Sequence, residues 1–381
     1  MFALLSYIDY CLLGALLLLL LYQCYFYFRY MTIASRKHNK HTSLLEDSAC
    51  PKVSVIVCAR NEQQNLQDYL HTLLTQDYPC YEVIVVNDGS EDDTQIVLER
   101  YALQCKQLYT TFVPRDARVI SSKKLALTIG VKAANYDYLL LTDADCRPHS
   151  RHWIREMMSG FANEQTEVVL GYGAYFEKKT LLNSLICYDT LFIGLQYMGM
   201  ANVGYPYMGV GRNLAYKRDT FFKNSGFRGM LGEVAGDDDL FVNKVANKSN
   251  TAVVCSPESI TWSSPKTTWK EWIHQKTRHL SVSHHYKQTS KMRLGIEPMT
   301  RGLFYALLIA TALFGGGLAI GIAYLLWWLR LVMQLCVINT AAHRLGGRLF
   351  GIEIVAYDII LPLVTLWLLC TKRFHKRPIY W

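Results

Sequence analysis

At 381 residues, with a net charge of +9 and 51% hydrophobic against 19% charged residues, the chain is too apolar for a wholly soluble protein and is expected to place part of itself in membrane. Its 11 cysteines occur singly, with no Cys-x-x-Cys and no histidine at metal-finger spacing, which speaks against a disulfide framework or a zinc module. The basic residues gather beside apolar runs rather than on one soluble segment, so no nucleic-acid partner is expected.

Residues 1–30 read as an N-terminal transmembrane anchor. Tyr10 to Phe28 carries no charge and would span about 28 Å as a helix. The segment lacks both a basic start and a small-residue cleavage site, so it is expected to be retained rather than removed as a signal peptide. Arg29 and a basic linker, residues 31–50 with Arg36, Lys37 and Lys40, follow at once. By the positive-inside rule these place the next segment in the cytoplasm of a multi-pass cell (inner) membrane protein.

Residues 51–285 have the composition of a soluble domain in which strands and helices alternate. Lys52 to Ala59 reads as a strand, followed by a helical pattern through Leu66, Leu70, Leu73 and Leu74. Tyr81 to Val86 is a second strand, ending at Asn87-Asp88-Gly89-Ser90, with a helix through Val97 and Tyr101 behind it. Leu108 to Val113 and Ser122 to Ala134 give a third strand and helix. Tyr138 to Thr142 then delivers Asp143 and Asp145 at its carboxyl end. Such alternation predicts an α/β domain with a mainly parallel sheet, and ligands bind such sheets outside the strands' carboxyl ends. After a helix near Trp153 to Phe161 and a strand at Glu167 to Tyr172, the aromatic stretch Cys187 to Tyr207 is broken by glycines. It is expected to pack near the membrane or line a cleft rather than cross the bilayer.

Residues 286–300 form an interfacial segment, 301–371 a C-terminal transmembrane region and 372–381 a basic tail. Uncharged runs extend from Gly302 to Leu329 and from Ile354 to Cys370, the latter interrupted by Asp358. With Gly315-Gly316-Gly317 inside a span the region holds two spans; with those glycines as a turn it holds three. The tail residues Lys372, Arg373, Lys376 and Arg377 favour two.

Several polar clusters stand at the ends of apolar segments. Asp143 and Asp145 suit one hard cation, Mg²⁺ or Mn²⁺, whose remaining ligands would be phosphate oxygens. Asp88 is placed to accept a hydrogen bond from a base or ribose, and Lys123 and Lys124 open a helix where phosphate is favoured. Gly236-Asp237-Asp238-Asp239 precedes a short apolar run, and Gln275-Lys276-Thr277-Arg278-His279 lies on a helix-like segment.

Taken in this order, the clusters resemble those of the membrane-bound glycosyltransferases of family 2, whose cytosolic domain has the GT-A fold; the resemblance covers about Pro51 to His279. It implies that Asp88, with the Ala59, Arg60 and Glu62 loop, contacts the nucleotide of a nucleotide sugar, expected to be a UDP-sugar. It further implies that Asp143 and Asp145 hold the donor and its divalent metal, and that Asp238, beside Asp237, is the general base. Gly211 and Arg212, within Gly209 to Ala215, match the loop bordering donor sugar and acceptor. Gln275 and Arg278 match a Gln-x-x-Arg-Trp motif that binds diphosphate, with His279 replacing the tryptophan at the acceptor. The expected acceptor is lipid-linked or saccharide, with membrane lipids as further partners. Two other readings compete. A nucleotidyltransferase would carry a Gly-rich, Arg-containing loop after the first strand, and Ala59-Arg60-Asn61-Glu62 has no glycine. A non-catalytic scaffold of the same fold would be expected to have lost Asp143, Asp145 or Asp238.

Overall fold

Seven apolar or small residues in succession, Val53–Ala59, satisfy their backbone polar groups and bury every side chain only within a sheet covered on both faces. In the computed structural model, which describes residues 5–35, 46–114, 122–233 and 235–372, this run is a fully buried strand. Arg36, Lys37, Lys40, Arg373, Lys376 and Arg377 lie outside the described residues.

Helix α1 (Tyr7–Phe26) opens on a capping box in which Ser6 and Asp9 satisfy each other's backbone N–H groups. Strand β1 (Val53–Ala59), helix α2 (Gln63–Leu74), strand β2 (Tyr81–Asn87), helix α3 (Thr94–Gln104), strand β3 (Leu108–Phe112), helix α4 (Ser122–Ala133) and strand β4 (Tyr138–Asp143) follow as the alternation predicts. Then come β5 (Cys146–Pro148), α5 (Trp153–Ser159), β6 (Val168–Leu170), β7 (Gly173–Tyr175), α6 (Leu181–Asn202), β8 (Leu214–Lys217), α7 (Arg218–Lys223), α8 (Asp239–Val245), β9 (Thr251–Val253), β10 (Thr261–Ser263) and α9 (Trp269–Ser281). The chain continues into α10 (Gln288–Phe314), α11 (Gly317–Arg344) and α12 (Glu353–Lys372).

The main sheet has the order β3-β2-β1-β4-β8-β6-β9, with β1 to β4 parallel and β8 antiparallel to β4. β1 sends its next strand to one side and pairs with β4 on the other, so the topological switch point lies between the carboxyl ends of β1 and β4, where Cys58 faces Asp143 across the register. The expected strand Glu167 to Tyr172 is split: after Leu170 the chain leaves the main sheet, the Gly171 N–H bonding the Asn213 carbonyl, and β7 joins a second sheet of order β5-β10-β7.

Strand periodicity divides the core. Val55, Val57, Val83, Val85 and Leu140 face α2, α3 and α5. Ile56, Cys58, Ile84, Val86, Leu139 and Leu141 belong to a larger core that runs through α6 into Phe26, Tyr27, Val337, Ile338 and Tyr357 of the apolar helices. The stretch read as packing near the membrane is thus α6, buried between the sheet and those helices. It approaches the chain after α1 so closely that a Cβ at Gly199 would lie 1.9 Å from the Tyr30 carbonyl oxygen.

Among the described residues, four helices are long and apolar enough to cross a membrane: Tyr7–Met31, Gln288–Phe314, Gly317–Arg344 and Glu353–Thr371. Three of these helices lie in the C-terminal region, the higher of the two counts left open by Gly315-Gly316-Gly317 and one more than the tail residues favour. Gly315 leaves the helix in an extended conformation, and the Gly316 N–H donates to the Asp9 carboxylate at 3.0 Å, so α10 and α11 form a hairpin beside the start of α1. At its other end α11 meets the chain that leaves α1, through Arg344 and the Ser35 carbonyl. α12 starts at this same end and runs away from the domain, so Lys372 lies at the end opposite it. The run from Gly302 to Leu329 misled because Arg301 and Arg330, which bound it in sequence, are inside the helices and paired there with Asp358.

Candidate active site

β1 and β2 end in loops that hold one another. The Asp88 N–H donates to the Ala59 carbonyl, the Asn61 N–H to the Ser90 hydroxyl, and the Glu91 N–H to the Asn61 side chain. Asn61 adopts φ +56°, a left-handed conformation that asparagine tolerates. The Asp88 side chain is buried at this latch. Glu62, anchored through its N–H on Thr94, is pushed up to about 6 by burial and by the facing Asp145 and Asp143.

β4 carries Asp143 to the edge of the cleft. Lys123, in the first turn of α4, reaches between Asp143 at 3.0 Å and Asp237 at 3.2 Å. Burial works against its charge, but these carboxylates outweigh burial and hold Lys123 firmly protonated. Asp237 in turn stays below its ordinary range: burial would raise it, and Lys123 prevails. Lys124, grouped with Lys123 as a phosphate-facing residue, points elsewhere. Its ammonium is buried and donates to the Glu233 and Ala235 carbonyls, which ties down the loop before the acidic cluster.

That loop turns at Gly236, whose φ of +93° suits glycine and where a Cβ would come 2.6 Å from Leu240. The turn separates the fates of three consecutive carboxylates. Asp237 faces Lys123. Asp238 caps α8, accepting the Asp239 N–H at 2.8 Å and the Gly211 N–H at 2.7 Å, and remains half-buried at the cleft. Asp239 is buried, accepts the Tyr286 hydroxyl at 2.7 Å, and is pushed up to about 8 by burial and by Asp238. Asp238 is itself raised by burial and by Asp237.

The Gly209 to Ala215 loop is pinned by Asn213, whose amide donates to the Tyr172 and Ser259 carbonyls and accepts from the Trp153 indole. The Arg212 guanidinium turns onto the protein itself, donating to the Ala174 carbonyl at 3.1 Å and the Ser263 hydroxyl at 3.0 Å and stacking 4.3 Å over Tyr175. Its charge still bears on Asp145. α9, opened by a Thr268–Glu271 capping box, presents Gln275, Arg278 and His279 at i, i+3 and i+4 on one face. Gln275 donates to the Tyr175 hydroxyl, and Lys276 pairs with Asp189 of α6 at 2.6 Å. His279 is exposed to solvent, and partial desolvation together with the charges of Arg278, Lys276, Arg212 and Lys123 holds its imidazole below the ordinary range.

Ligand atoms of Asp143, Asp145 and Cys146 lie within 4.8 Å of one another. Burial pushes the Cys146 thiol well up, so it stays protonated, and it donates to Asp145 at 3.5 Å. Asp145 is raised by burial and by Asp143. A divalent cation beside the two carboxylates would relieve that repulsion, so the donor set fits a hard ion such as Mg²⁺ or Mn²⁺. Tyr175 and Tyr286 carry no signal in the sequence: each acts through a partner distant along the chain, which no local pattern marks.

Residues 54–226 match the family model described as Glycosyl transferase family 2. This central domain belongs to that family. The glycosyltransferase domain is 27% identical over 236 residues to the "Probable glycosyltransferase YdaM" of Bacillus subtilis, covering 60% of this chain and 54% of the relative. It is 36% identical over 93 residues to the "Poly-beta-1,6-N-acetyl-D-glucosamine synthase" of Staphylococcus epidermidis, covering 24% of this chain and 21% of the relative. The chain thus spans about half the length, or less, of these curated relatives. In fold it is similar to the mannosyltransferase PcManGT from Pyrobaculum calidifontis, solved with GDP-Man and Mn²⁺, at a TM-score of 0.57 and 20% identity over 88% of this chain and 99% of that one. The glycosyltransferase domain has the GT-A fold, flanked by apolar helices.

Proposed function

We propose that this protein is a membrane-anchored, metal-dependent, inverting glycosyltransferase that moves a sugar from a nucleoside diphosphate, expected to be UDP, to a lipid-linked or saccharide acceptor at the cytoplasmic face of the cell membrane. The observation that carries the reading is the switch-point cleft, where the strand-end carboxylates Asp143 and Asp145, the ammonium of Lys123 and the accessible carboxylate of Asp238 converge.

Asp88 and the Ala59 to Glu62 loop would hold the nucleotide, and Asp143 with Asp145 would hold the divalent ion, which supplies charge neutralisation to the leaving diphosphate. Lys123, already protonated, offers a second positive charge within the same cleft, and Gln275 and Arg278 approach from α9. The attacking hydroxyl needs a carboxylate to take its proton. Asp238 supports this role because its neighbours Asp237 and Asp239 are both committed, one to Lys123 and one to Tyr286, while Asp238 keeps accessible lone pairs. Its raised pKa favours proton capture. One base with no covalent nucleophile gives inversion, and Cys146, held as a buried thiol, is no competing nucleophile. His279, neutral and smaller than the tryptophan it replaces, supports addition of one sugar per encounter, with the spans as anchor rather than channel.

The test is a panel of nucleotide sugars given to the purified chain with and without Mn²⁺ and EDTA, reading released nucleoside diphosphate and the product's anomeric configuration and size. Metal-dependent release, an inverted anomer and a one-sugar product are expected. Turnover unaffected by EDTA, a retained anomer or a ladder of long chains would each overturn the corresponding part.

A further inference from the structure

Where the domain meets the spans lies a second pocket, of about 150 Å³, that the reaction proposed above does not use. It is bounded by the end of α6, the residues after α8 and the first turn of α10. Lys248, Lys287 and Arg293 line it, and no carboxylate does. Among the described residues none of the three is paired with an acidic group. All three are exposed; two of the side chains pack against neighbours, and Lys287 is anchored through its backbone. Arg293 stacks 3.7 Å over Tyr205, the Lys248 stem packs against Gly204, whose φ is +92°, and the Lys287 N–H donates to Asn243 at 2.9 Å.

The height of the pocket follows from helix geometry. Gln23 of α1 donates to Thr300 of α10 at 2.8 Å. At 1.5 Å per residue, Arg293 lies about 10 Å and Lys287 about 20 Å nearer the domain than Thr300, while Met31, the last residue of the first span, lies about 12 Å beyond Gln23. The cations therefore bracket the end of the span, at the level of lipid headgroups. Tyr25 and Tyr30 pack together at the same level, where aromatic side chains favour the interface. The Tyr30 carbonyl touches Gly199, one residue from the pocket-lining Met200.

Cations with no acidic partner around a space roomy enough for a phosphodiester headgroup, at headgroup depth, are complementary to a phosphodiester carrying net negative charge. We propose that this pocket binds the headgroup phosphate of an anionic membrane phospholipid. The inference rests on the reading of the four helices as membrane spans and is independent of the sugar, the nucleotide and the acceptor.

Native mass spectrometry of the full chain in detergent tests it, with phosphatidylglycerol, phosphatidylcholine of the same chains, and inorganic phosphate as probes. Phosphatidylglycerol should bind in preference to phosphatidylcholine. The Lys287→Ala/Arg293→Ala double variant should weaken that binding on the order of tenfold, since each cation near a charged surface contributes severalfold. Thr289→Trp, at an exposed position on the rim, fills the space while keeping every charge and should weaken it similarly. Lys178→Ala/Lys179→Ala, the same loss of charge elsewhere on the surface, should leave it unchanged. Thermal melting of each variant identifies any that fails to fold; if the double variant does, Thr289→Trp decides. Equal phosphatidylglycerol binding by wild type and Thr289→Trp overturns the proposal. So does inorganic phosphate binding with no preference between the two lipids, which would assign the pocket to a free anion. Because the readout is lipid binding, failure here leaves glycosyl transfer untouched, and an inactive enzyme leaves this result standing.

Discussion

The cleft at the switch point and the polar cluster among the spans both bury carboxylates, yet they are built in opposite ways. Among the spans, Asp358 accepts from Arg301 at 3.1 Å, Arg330 at 2.7 Å, Tyr305 at 2.8 Å and Gln334 at 2.9 Å, while Arg301 also pairs with Glu297. Gln23 and Tyr27 of α1 join through Arg330 and Gln334. Two carboxylates meet two guanidiniums, the charge closes on itself, and all four long apolar helices contribute. In the cleft, Asp143, Asp145, Asp237 and Asp238 gather around Lys123, which pairs with two of them, and Asp145 and Asp238 are raised by burial and like charge. A closed cluster holds helices together; an open, acid-rich one is chemically suited to a cation and to a group that takes up a proton.

Breaking the open cluster should have the largest effect. Asp145→Ala is expected to lower donor turnover by on the order of 10³ with an unchanged melting temperature, because the side chain sits at a strand end; normal turnover at limiting Mn²⁺ would refute the metal assignment. Breaking the closed cluster should do the reverse. Asp358→Asn leaves two buried guanidiniums short of a partner and should cost about 3–5 kcal/mol of stability, read by thermal unfolding in detergent, while activity per folded molecule is kept. The paired change Asp358→Leu with Arg330→Met should recover much of that loss.

Asp238→Asn should retain donor binding while kcat falls by on the order of 10²; the same fall in Asp237→Asn with none in Asp238→Asn would shift the base by one residue. Gly199→Ala tests the packing that joins the two regions, since its methyl would meet the Tyr30 carbonyl, and a loss of about 1–3 kcal/mol is expected. A further expectation concerns pH. Asp239 has its ordinary value of 3.8 raised to about 8, so the folded state prefers its protonated form. That contribution is whole below pH 3.8 and is lost as pH rises through 8. Melting temperatures of wild type should therefore drop relative to Asp239→Asn between pH 5 and 9, and a constant difference would contradict the assignment.

Strand and helix alternation from Val53 to Asp143 was legible because it is a local pattern: apolar runs of strand length punctuated by polar turns. The placement of Asp88 and Asp143 at strand ends followed from the same pattern. The Lys123 and Lys124 pair was not legible, since adjacent helix positions point about 100° apart and only the acidic loop's return decides which ammonium meets carboxylates. The end of β6 was lost for a similar reason, because the exit toward the second sheet depends on Asn213.

The amino-acid sequence by itself determined the α/β architecture, the chemical types at the cleft and the presence of apolar helices, since these rest on periodicity and on residue identity near one another in the chain. The tertiary structure alone decided which of three neighbouring aspartates stays partly exposed, which lysine joins the cleft, and how many described helices the C-terminal region holds. The physical reason is the same in each case. A charge's role is set by the partner that reaches it, and for Asp358, Arg301 and Arg330, as for Asp9 and Gly316, that partner comes from a distant part of the chain and allows a polar group to be buried where the sequence alone would have placed it in water.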